Sequence, residues 1–304
     1  MKILVTGARG FLGRAVAGQL VKLGHDVYGL STVDHNNCDE NLKLDWVTAD
    51  LFSPLEINMI MEKFQFTGLV HLAWDTTPGS YWQSNDNLRW IAASLNLFET
   101  FRSHGGKRII VAGSSAEYQW GKNPVLDEIS TPKKPSSLYG VSKNALREVM
   151  ESWAQLNGIS WGWGYIFNIF GPCEKKERLI PKILIKLLHR EEIHFDDGLI
   201  YRDFLHIDDA GEAFAAFFNS DVEGVVNIAS GQSTCVRYIL QTIADLVDAP
   251  NLIKFGTVSN KHEEPVSVVA AINRLKKEVG WSAKISLQDR LESTCEWWKT
   301  TIGV

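Results

Sequence analysis

The sequence contains few cysteines, and those it has are far apart. Cys38, Cys173, Cys235 and Cys295 form no Cys-x-x-Cys pair. A disulfide framework or a zinc site needs cysteines at short or paired spacings, so reduced thiols are expected instead. This cysteine usage is typical of an enzyme of the reducing cytoplasm, and a cytoplasmic location is predicted.

Excess positive charge and long apolar runs are also missing. The chain of 304 residues has 31 Lys and Arg against 36 Asp and Glu, a net charge of -5. This charge gives no support for nucleic-acid binding. No apolar run approaches the ~20 residues that a membrane span needs, and the opening MKILVTG is typical of a strand rather than a signal peptide. We expect neither nucleic acid nor a membrane among its partners.

Short β-branched runs alternate with longer segments of helical period. The runs KILVT, DVYGL, GLVHLA and RIIVAG are typical of buried parallel strands. Between them, apolar stripes of helical spacing include Leu55, Met59, Ile60 and Phe64, and further on Leu138, Val141, Leu146, Val149 and Trp153. The alternation predicts an α/β fold with an open, doubly wound parallel sheet.

The stretch TGARGFLGR follows the first predicted strand and opens the first predicted helix. Gly7, Gly10 and Gly13 permit a tight turn and let backbone N–H groups approach a pyrophosphate at the positive end of that helix. Any flexible turn can use glycine, but the strand–loop–helix context favours a dinucleotide. Phe11 and Leu12, between the last two glycines, belong to the same predicted cofactor contact.

The end of the second predicted strand favours NADP over NAD. An NAD site usually carries an acid there, which binds the ribose 2′-hydroxyl. This chain has Ser31, which tolerates a 2′-phosphate. Arg9 in the glycine loop, and Arg14 in the first helical turn, are candidates to pair with that phosphate. Asp34, three residues further on, keeps NAD open as the alternative cofactor.

The alternation of predicted strands and helices becomes irregular after about Pro172. The later run GVVNIAS is predicted to return to the sheet. We predict a dinucleotide-binding domain over residues 1–168, with return segments near 203–230. Residues 169–304 are predicted to form mainly a smaller, interleaved substrate-binding lobe. Ligands of open α/β sheets bind at the carboxyl ends of the strands, so the site is expected in the cleft between the two parts.

Tyr139 and Lys143, in LYGVSK, lie four residues apart on a predicted helix and so share a face. A nearby ammonium favours the phenolate, which would bring the pKa of Tyr139 toward the range of an acid/base catalyst. The spacing is common by chance. Combined with the glycine loop and with GSS at the end of an upstream strand, it indicates an active site.

With these motifs the chain resembles the extended short-chain dehydrogenase/reductase family, in particular its NAD(P)-dependent nucleotide-sugar epimerases, dehydratases and ketoreductases. The matching segments run along nearly the whole chain: TGARGFLG, VTADL, VHLAW, YGVSK, FNIFGP, YRDFLHIDDA, VNIASGQ and VGWSAKISLQDRL. The resemblance implies an enzyme of nucleotide-sugar metabolism with a Rossmann fold, acting as a homodimer. Trp74, Trp120 and Tyr165 depart from the residues usual in the family.

The resemblance also implies roles for individual residues. It implies Ser115 as the hydroxyl that hydrogen-bonds the reacting sugar oxygen, with Ser114 as its backup. Tyr139 is then the acid/base, and Lys143 tunes it and holds the nicotinamide ribose. The remaining implied contacts are Asp50, Leu51, Leu72 and Ala73 with the cofactor, and Trp74, Asn168 and Arg202 with the nucleotide sugar.

Glu117 bears on the reaction type. In the 4,6-dehydratases of the family, an acid followed by Glu supplies the extra acid and base that expel water. Here Ala116 occupies the acid's position, so Glu117 is expected to support the loop rather than to act in dehydration. The sequence therefore favours NADP(H)-dependent reduction of a nucleotide-linked 4-keto-6-deoxysugar. A 4-epimerase or 4,6-dehydratase is the alternative, and a non-catalytic dinucleotide-sensing protein is a second one.

Two further groups of residues are predicted to be structural. His206, Asp208 and Asp209 form one short cluster without a complete ligand set, so no metal is expected. Cys173 lies near the place where deoxy-sugar epimerase-reductases keep an acid/base pair. A lone cysteine is more often a small packing residue.

Overall fold

The computed structural model describes residues 1–33, 44–121, 124–258 and 265–303. The strands within these ranges are β1 (Lys2–Thr6), β2 (Asp26–Ser31), β3 (Asp45–Thr48), β4 (Gly68–His71), β5 (Arg108–Ser114), β6 (Val125–Leu126), β7 (Ser160–Ile166), β8 (Asn168–Phe170), β9 (Ile193–His194), β10 (Tyr201–Arg202), β11 (Phe204–His206), β12 (Gly224–Ile228), β13 (Thr234–Cys235), β14 (Ile253–Lys254) and β15 (Ser267–Ala270). The helices are α1 (Phe11–Lys22), α2 (Pro54–Phe64), α3 (Asp86–Ser103), α4 (Leu138–Asn157), α5 (Leu179–Leu188), α6 (Ile207–Asn219), α7 (Val236–Leu246), α8 (Asn273–Lys277) and α9 (Leu287–Ile302).

Seven strands form one parallel sheet in the order β3-β2-β1-β4-β5-β7-β12. The chain enters at β1, moves outward to β3, and then crosses back to build the other half from β4. The strand order thus reverses between β1 and β4, which is the topological switch point where ligands bind in such folds. The predicted doubly wound sheet is confirmed, and GVVNIAS returns to it as the edge strand β12 beside β7.

Several of the motifs that were predicted to form the site follow the same edge of this sheet. Gly7 comes directly after β1, Ser31 ends β2, and Ser114 ends β5. Trp74 lies three residues past the end of β4. Because parallel strands place their carboxyl ends on one side, residues separated by more than a hundred positions in sequence become neighbours there.

The apolar stripe predicted on α2 was wrong in part. Leu55 and Met59 are 71% and 58% exposed, whereas Ile57 and Met61 are fully buried. The helix PLEINMIMEKF has apolar residues on more than one face, so periodicity alone did not determine which face meets the sheet.

On α4 the buried face is the one that carries the reactive groups. Tyr139, Ser142 and Lys143 are buried, while Val141 and Val149 from the predicted stripe are exposed. The start of the helix covers the end of β5 and the turn after it, and its polar side chains point there. The same face also buries Leu146, Met150 and Ala154 further along the helix.

The described residues form two large hydrophobic cores and one small aromatic cluster. The larger one surrounds the seven-stranded sheet. The second forms where α5, α7 and α9 pack together. The helix α6 belongs to the first, because it packs along α1 on one face of the sheet. The division into a cofactor domain and a substrate lobe stays a prediction.

Candidate active site

The glycine loop is built to admit a phosphate group. Gly7 has φ +70°, and a Cβ there would lie 2.9 Å from the backbone nitrogen of Ala73. Gly10, the N-cap of α1, has no side-chain cap, and the first turn of the helix has no acid. Its N–H groups and its positive helix end are therefore suited to an anion. Phe11 begins this helix, and Leu12 is packed in the core.

A cavity of about 250 Å³ continues from this loop along the ends of β1, β2 and β3. Its walls include Arg9, Ser31, Asp50, Leu51 and Trp90. The size, the position at the switch point and the glycine loop beside it fit the adenosine half of a dinucleotide. The sequence predictions for Asp50 and Leu51 are consistent with this geometry, although their contacts with a cofactor stay predictions.

Arg9 and Ser31 meet at the rim of this cavity. The Arg9 guanidinium donates a hydrogen bond to Ser31 Oγ at 3.5 Å, and Ser31 Oγ donates to the Val33 carbonyl at 3.1 Å. Arg14 donates from Nε to the Arg9 carbonyl and so supports the loop. Asp34, which kept NAD open as a cofactor, lies outside the described residues.

A buried histidine network fixes the backbone beside the cofactor site. Ser94 Oγ donates to a main-chain carbonyl of α3 and so accepts from His71 Nε2 at 2.9 Å. His71 Nδ1 then accepts from the Thr6 hydroxyl at 2.7 Å. Thr6 Oγ1 in turn accepts from the N–H groups of Leu72 and Ala73, both at 3.2 Å. Burial lowers the pKa of His71 to about 3, so the ring stays neutral and keeps this arrangement.

Ser114, rather than Ser115, interacts with the Tyr139 hydroxyl. Burial raises the pKa of Tyr139 and the Ser114 side chain opposes that rise, while Ser114 Oγ accepts from the Ala116 N–H at 3.2 Å. The side chain of Tyr139 is enclosed, with 6% of the residue exposed. Ser115 contributes its carbonyl, which accepts from Trp120 Nε1 at 2.7 Å. The geometry therefore favours Ser114 as the hydroxyl that assists Tyr139, and both assignments stay predictions.

Lys143 does not lower the pKa of Tyr139 as the spacing suggested. Its Nζ donates to the Ala112 carbonyl at 2.9 Å and lies 3.9 Å from the centre of the Trp74 ring. Burial lowers the pKa of Lys143 and raises that of Tyr139, and for the phenol the Ser114 side chain opposes the shift only in part. The pKa of the Tyr139 phenol is therefore set by its burial and not by the Lys143 ammonium. This is why the structure differs from what the spacing predicted.

Glu117 lies beneath the site and is fully buried. Its Oε1 accepts from the Ser114 N–H at 2.8 Å and from Trp163 Nε1 at 3.1 Å. Burial raises the pKa of this carboxyl, and the charge of Lys143 opposes that shift. Glu117 thus holds the backbone of the residue that contacts Tyr139, in agreement with the supporting role expected from Ala116.

The two positions expected at the sugar nucleotide lie in the smaller sheets. Asn168, on β8, donates from Nδ2 to the Asp203 carbonyl at 3.3 Å. Arg202, on β10, donates to the carbonyls of Tyr201 and Pro265, both at 2.9 Å. Their roles toward a substrate stay predictions.

The cluster His206, Asp208 and Asp209 is joined to α9 by an ion pair. Arg290 donates to Asp209 Oδ2 at 3.0 Å and lies 3.3 Å from Asp208 Oδ2. In the part of the chain that the structure describes, no group of three potential ligands is placed to hold a metal ion. Cys173 is exposed, with φ +66°.

Arg178 is a residue that the sequence reasoning missed. It precedes α5, yet its Nη2 donates to the Thr76 carbonyl at 3.0 Å, and its guanidinium lies 5.6 Å from the centre of the Tyr81 ring. Tyr81 in turn packs edge-on against Tyr139, with ring centres 4.9 Å apart. The charged run around Arg178 resembled a solvated loop, and no spacing indicated this contact.

The fold, the glycine cradle and the Tyr139–Lys143 helix define a nicotinamide-dinucleotide-dependent enzyme. The family model described as the NAD dependent epimerase/dehydratase family matches residues 3–229. The chain belongs to this family, as the sequence motifs predicted.

Similar proteins include epimerases and dehydratases. The UDP-glucose 4-epimerase of Corynebacterium glutamicum is 25% identical, covering 93% of this chain and 91% of the relative. The dTDP-glucose 4,6-dehydratase of Salmonella typhimurium is 23% identical, covering 98% and 92%. The crystal structure of UDP-glucose 4-epimerase with UDP-glucose from Thermotoga maritima has a TM-score of 0.89 at 22% identity, covering 99% of this chain and 100% of that one. These relatives favour the epimerase or dehydratase alternative over the ketoreductase.

Among the described residues, no helix is both long and apolar enough to cross a membrane.

The two serines can be separated by matched variants. Ser114→Ala is expected to lower kcat by about ten- to a hundredfold, since a hydrogen bond to a developing phenolate contributes roughly 1.5–3 kcal/mol. Ser115→Ala should lower kcat by less, because no hydrogen bond connects its hydroxyl with Tyr139 in the described structure. Steady-state kinetics of both variants decide between them. A larger loss for Ser115→Ala would restore Ser115 as the principal hydroxyl.

Proposed function

We propose that this protein is a nucleotide-sugar 4-epimerase. The observation that carries the proposal is the combination of an interacting Tyr139–Ser114 pair with a Glu117 that is enclosed behind it. The pair suffices to take and return one proton at a sugar hydroxyl. Dehydration needs a further acid and base at the sugar, and here Ala116 and the buried Glu117 do not supply them. The similarity to UDP-glucose 4-epimerases supports the same choice.

In this proposal each residue of the site has its own role. The Tyr139 hydroxyl takes the proton of the sugar C4 hydroxyl and later returns it, while Ser114 donates to the same oxygen. Lys143 holds the nicotinamide ribose. The bound nicotinamide supplies the hydride acceptor at C4. We propose that Trp74, Asn168 and Arg202 contact the nucleotide sugar.

A ketoreductase using NADP(H) is the second candidate. Its cofactor is supported by the Arg9–Ser31 pair at the cavity rim, where a guanidinium and a hydroxyl suit a 2′-phosphate, while Asp50 lines the same cavity. We keep NADP as the proposed cofactor, with NAD as the alternative. The reaction type and the cofactor preference are separate questions, because a phosphate-binding rim is compatible with either reaction.

The three reactions of this family differ in mass and in cofactor balance. The enzyme is incubated with UDP- and dTDP-hexoses in the presence of NAD⁺ or NADP⁺, and with their 4-keto derivatives in the presence of NADPH or NADH. The proposal predicts a product of unchanged mass and inverted C4, without net cofactor oxidation. Oxidation of one NADPH per sugar with gain of two hydrogens would establish the ketoreductase instead, and loss of one water would establish the dehydratase.

Removing the guanidinium at the rim tests the cofactor. Arg9→Ala is expected to raise the Kd of NADPH by about ten- to a hundredfold, because a charge-assisted hydrogen bond contributes roughly 1.5–3 kcal/mol. The Kd of NADH should change little, since it has no 2′-phosphate. Fluorescence titration of both cofactors measures the two constants, with Arg102→Ala on the distant helix α3 as the control. Equal losses for NADPH and NADH would remove Arg9 from this role.

Glu117→Gln distinguishes a support from a catalytic base. The amide keeps an oxygen that accepts from the Ser114 N–H and from Trp163 Nε1, so kcat is expected to fall less than tenfold with the product unchanged. Removal of a general base typically costs about 10²–10⁴ in rate. An inactive Glu117→Gln, in an enzyme that releases water from its substrate, would contradict the epimerase.

We further propose a cytoplasmic homodimer. Exposed apolar residues on α3 and α4, among them Leu88, Val149 and Leu156, support self-association. Light scattering of the purified protein measures its mass, and a monomer at micromolar concentration would contradict this proposal.

A further inference from the structure

Four aromatic side chains, here called the aromatic cage, pack around the Tyr139 ring. They are Trp74, Tyr81, Trp82 and Trp120. The ring centres of Tyr81, Trp82 and Trp74 lie 4.9, 5.7 and 6.4 Å from that of Tyr139, all nearly edge-on. Trp120 adds a fourth wall, 6.3 Å from Trp82. Since the reacting carbon must approach the Tyr139 hydroxyl, its neighbouring substituents lie against these rings.

Two polar atoms of the cage are hydrogen-bonded within the protein. Trp74 Nε1 donates to Asn87 Oδ1 at 2.8 Å, and Trp120 Nε1 donates to the Ser115 carbonyl at 2.7 Å. Burial raises the pKa of Tyr81, and the Arg178 guanidinium, 5.6 Å from the centre of its ring, opposes that rise. Trp74 and Trp120 therefore present carbon faces and edges, rather than donors or acceptors, to a bound sugar.

The hydrogen bond from Trp74 to Asn87 is held in place by further hydrogen bonds of Asn87. Asn87 is buried, and its Nδ2 donates to the carbonyls of Tyr81 and Ser84, both at 2.8 Å. Rotation of Trp74 to offer its N–H to a ligand would leave the Asn87 oxygen buried and unpaired, which is costly. The apolar surface is thus a fixed property of the site.

Such a wall discriminates between substituents of similar size. A hydroxyl placed against it loses its hydrogen bonds to water and gains none, whereas a methyl group loses only unfavourable contact with water. Apolar pockets of this kind reject an added hydroxyl by roughly 10²-fold and not by more. The expected selectivity is therefore moderate.

We propose that the aromatic cage makes this enzyme select nucleotide sugars with a methyl group on C5, the 6-deoxyhexoses, over those with a hydroxymethyl group. The inference rests on the proposed function, because reaction at C4 is what brings the substituent of the adjacent C5 beside Tyr139. Trp74 and Trp120, two positions where the chain departs from its family, are then specificity-determining residues.

The test compares a nucleotide-linked 6-deoxyhexose with the corresponding hexose, of the same nucleotide and C4 configuration. We expect kcat/KM to favour the 6-deoxyhexose by about 10²-fold. Calorimetric titration of both sugars gives the same comparison in Kd, independently of turnover. Equal constants, or a preference for the hexose, would overturn the inference.

Two variants at one position test the cage itself. Trp82→Gln replaces the indole ring by an amide that both donates and accepts, and it is expected to reduce the preference by about tenfold, the value of one hydrogen bond of ~1.4 kcal/mol. Trp82→Leu keeps the wall apolar and should retain the preference. Trp297→Phe, on the distant helix α9, is the control for loss of a tryptophan. Equal preferences in Trp82→Gln and Trp82→Leu would show that the selectivity does not arise from the cage.

The failure of this inference can be distinguished from failure of the proposed function. If neither sugar is inverted at C4 but the 6-deoxyhexose binds more tightly, the epimerase proposal fails and the cage selectivity stands. If both are inverted at equal rates and bind equally, the epimerase stands and the cage selectivity fails.

Discussion

Tyr139→Phe is expected to reduce kcat by roughly 10²–10⁴, the usual contribution of a positioned acid/base group. The variant removes the hydroxyl that we propose as the acid/base and beside which the Ser114 side chain lies. The ring and its packing against Tyr81 and Trp82 remain. Cofactor affinity should stay within a few-fold of wild type, because the glycine loop and the rim of the cavity are untouched.

Tyr165→Phe is a suitable control for this change. Tyr165 is also a buried tyrosine close to the site, and its hydroxyl has no hydrogen-bond partner among the described residues. Its removal should therefore leave kcat and thermal stability nearly unchanged. Steady-state kinetics and a cofactor titration on both variants complete the test. A Tyr139→Phe enzyme that keeps more than a few per cent of wild-type kcat would remove Tyr139 from the proton transfer.

Gly13→Ala is expected to raise the Kd of the dinucleotide on the order of a hundredfold and to destabilise the fold by about 1–3 kcal/mol. A Cβ at Gly13 would lie 1.9 Å from the Gly7 carbonyl oxygen and 2.6 Å from the Gly7 carbonyl carbon. Both are backbone atoms, so relief requires the loop to move. The N–H group of Gly10, which donates to the same carbonyl at 2.8 Å, moves with it.

Gly24→Ala separates the two effects. Gly24 has φ +82° and open space around a Cβ, so alanine there is strained without any collision. It should cost about 1 kcal/mol of stability and leave cofactor affinity unchanged. Thermal unfolding and fluorescence titration on the pair measure both quantities. If Gly13→Ala binds cofactor like wild type, the glycine loop is not a tight cradle for the pyrophosphate.

Local sequence determined those parts of the site that depend only on backbone geometry or on the spacing of residues along one element. The three glycines predicted the loop after β1, because only a residue without Cβ allows the approach of Gly13 to Gly7. Tyr139 and Lys143 were placed on one helix face by their spacing. The family and the doubly wound sheet followed, and these predictions are confirmed. The nucleotide-sugar class stays a prediction. The sequence determined the reaction type less well, because the reactions of this family share one proton relay and differ in only a few residues around it.

Several features were determined only by the tertiary structure. Ser114 and Ser115 are equivalent in sequence, and the turn after β5 brings Ser114 to Tyr139. The pKa of Tyr139 depends on burial and on where the Lys143 ammonium points, which spacing along a helix does not define. The contact between Arg178 and Tyr81 joins loops almost a hundred residues apart.

The aromatic cage shows the same division most clearly. The sequence supplies many tryptophans, but an aromatic ring in a core and one in a substrate pocket look alike in a list of residues. Only the fold places Trp74 after β4 and Trp120 after β5 at one edge of the sheet, with Trp82 between them. Their hydrogen bonds then fix which surface faces the sugar. Composition and motifs determined which reactive groups this protein has. Long-range packing determined where those groups lie, because contacts between residues that are distant in sequence leave no local pattern.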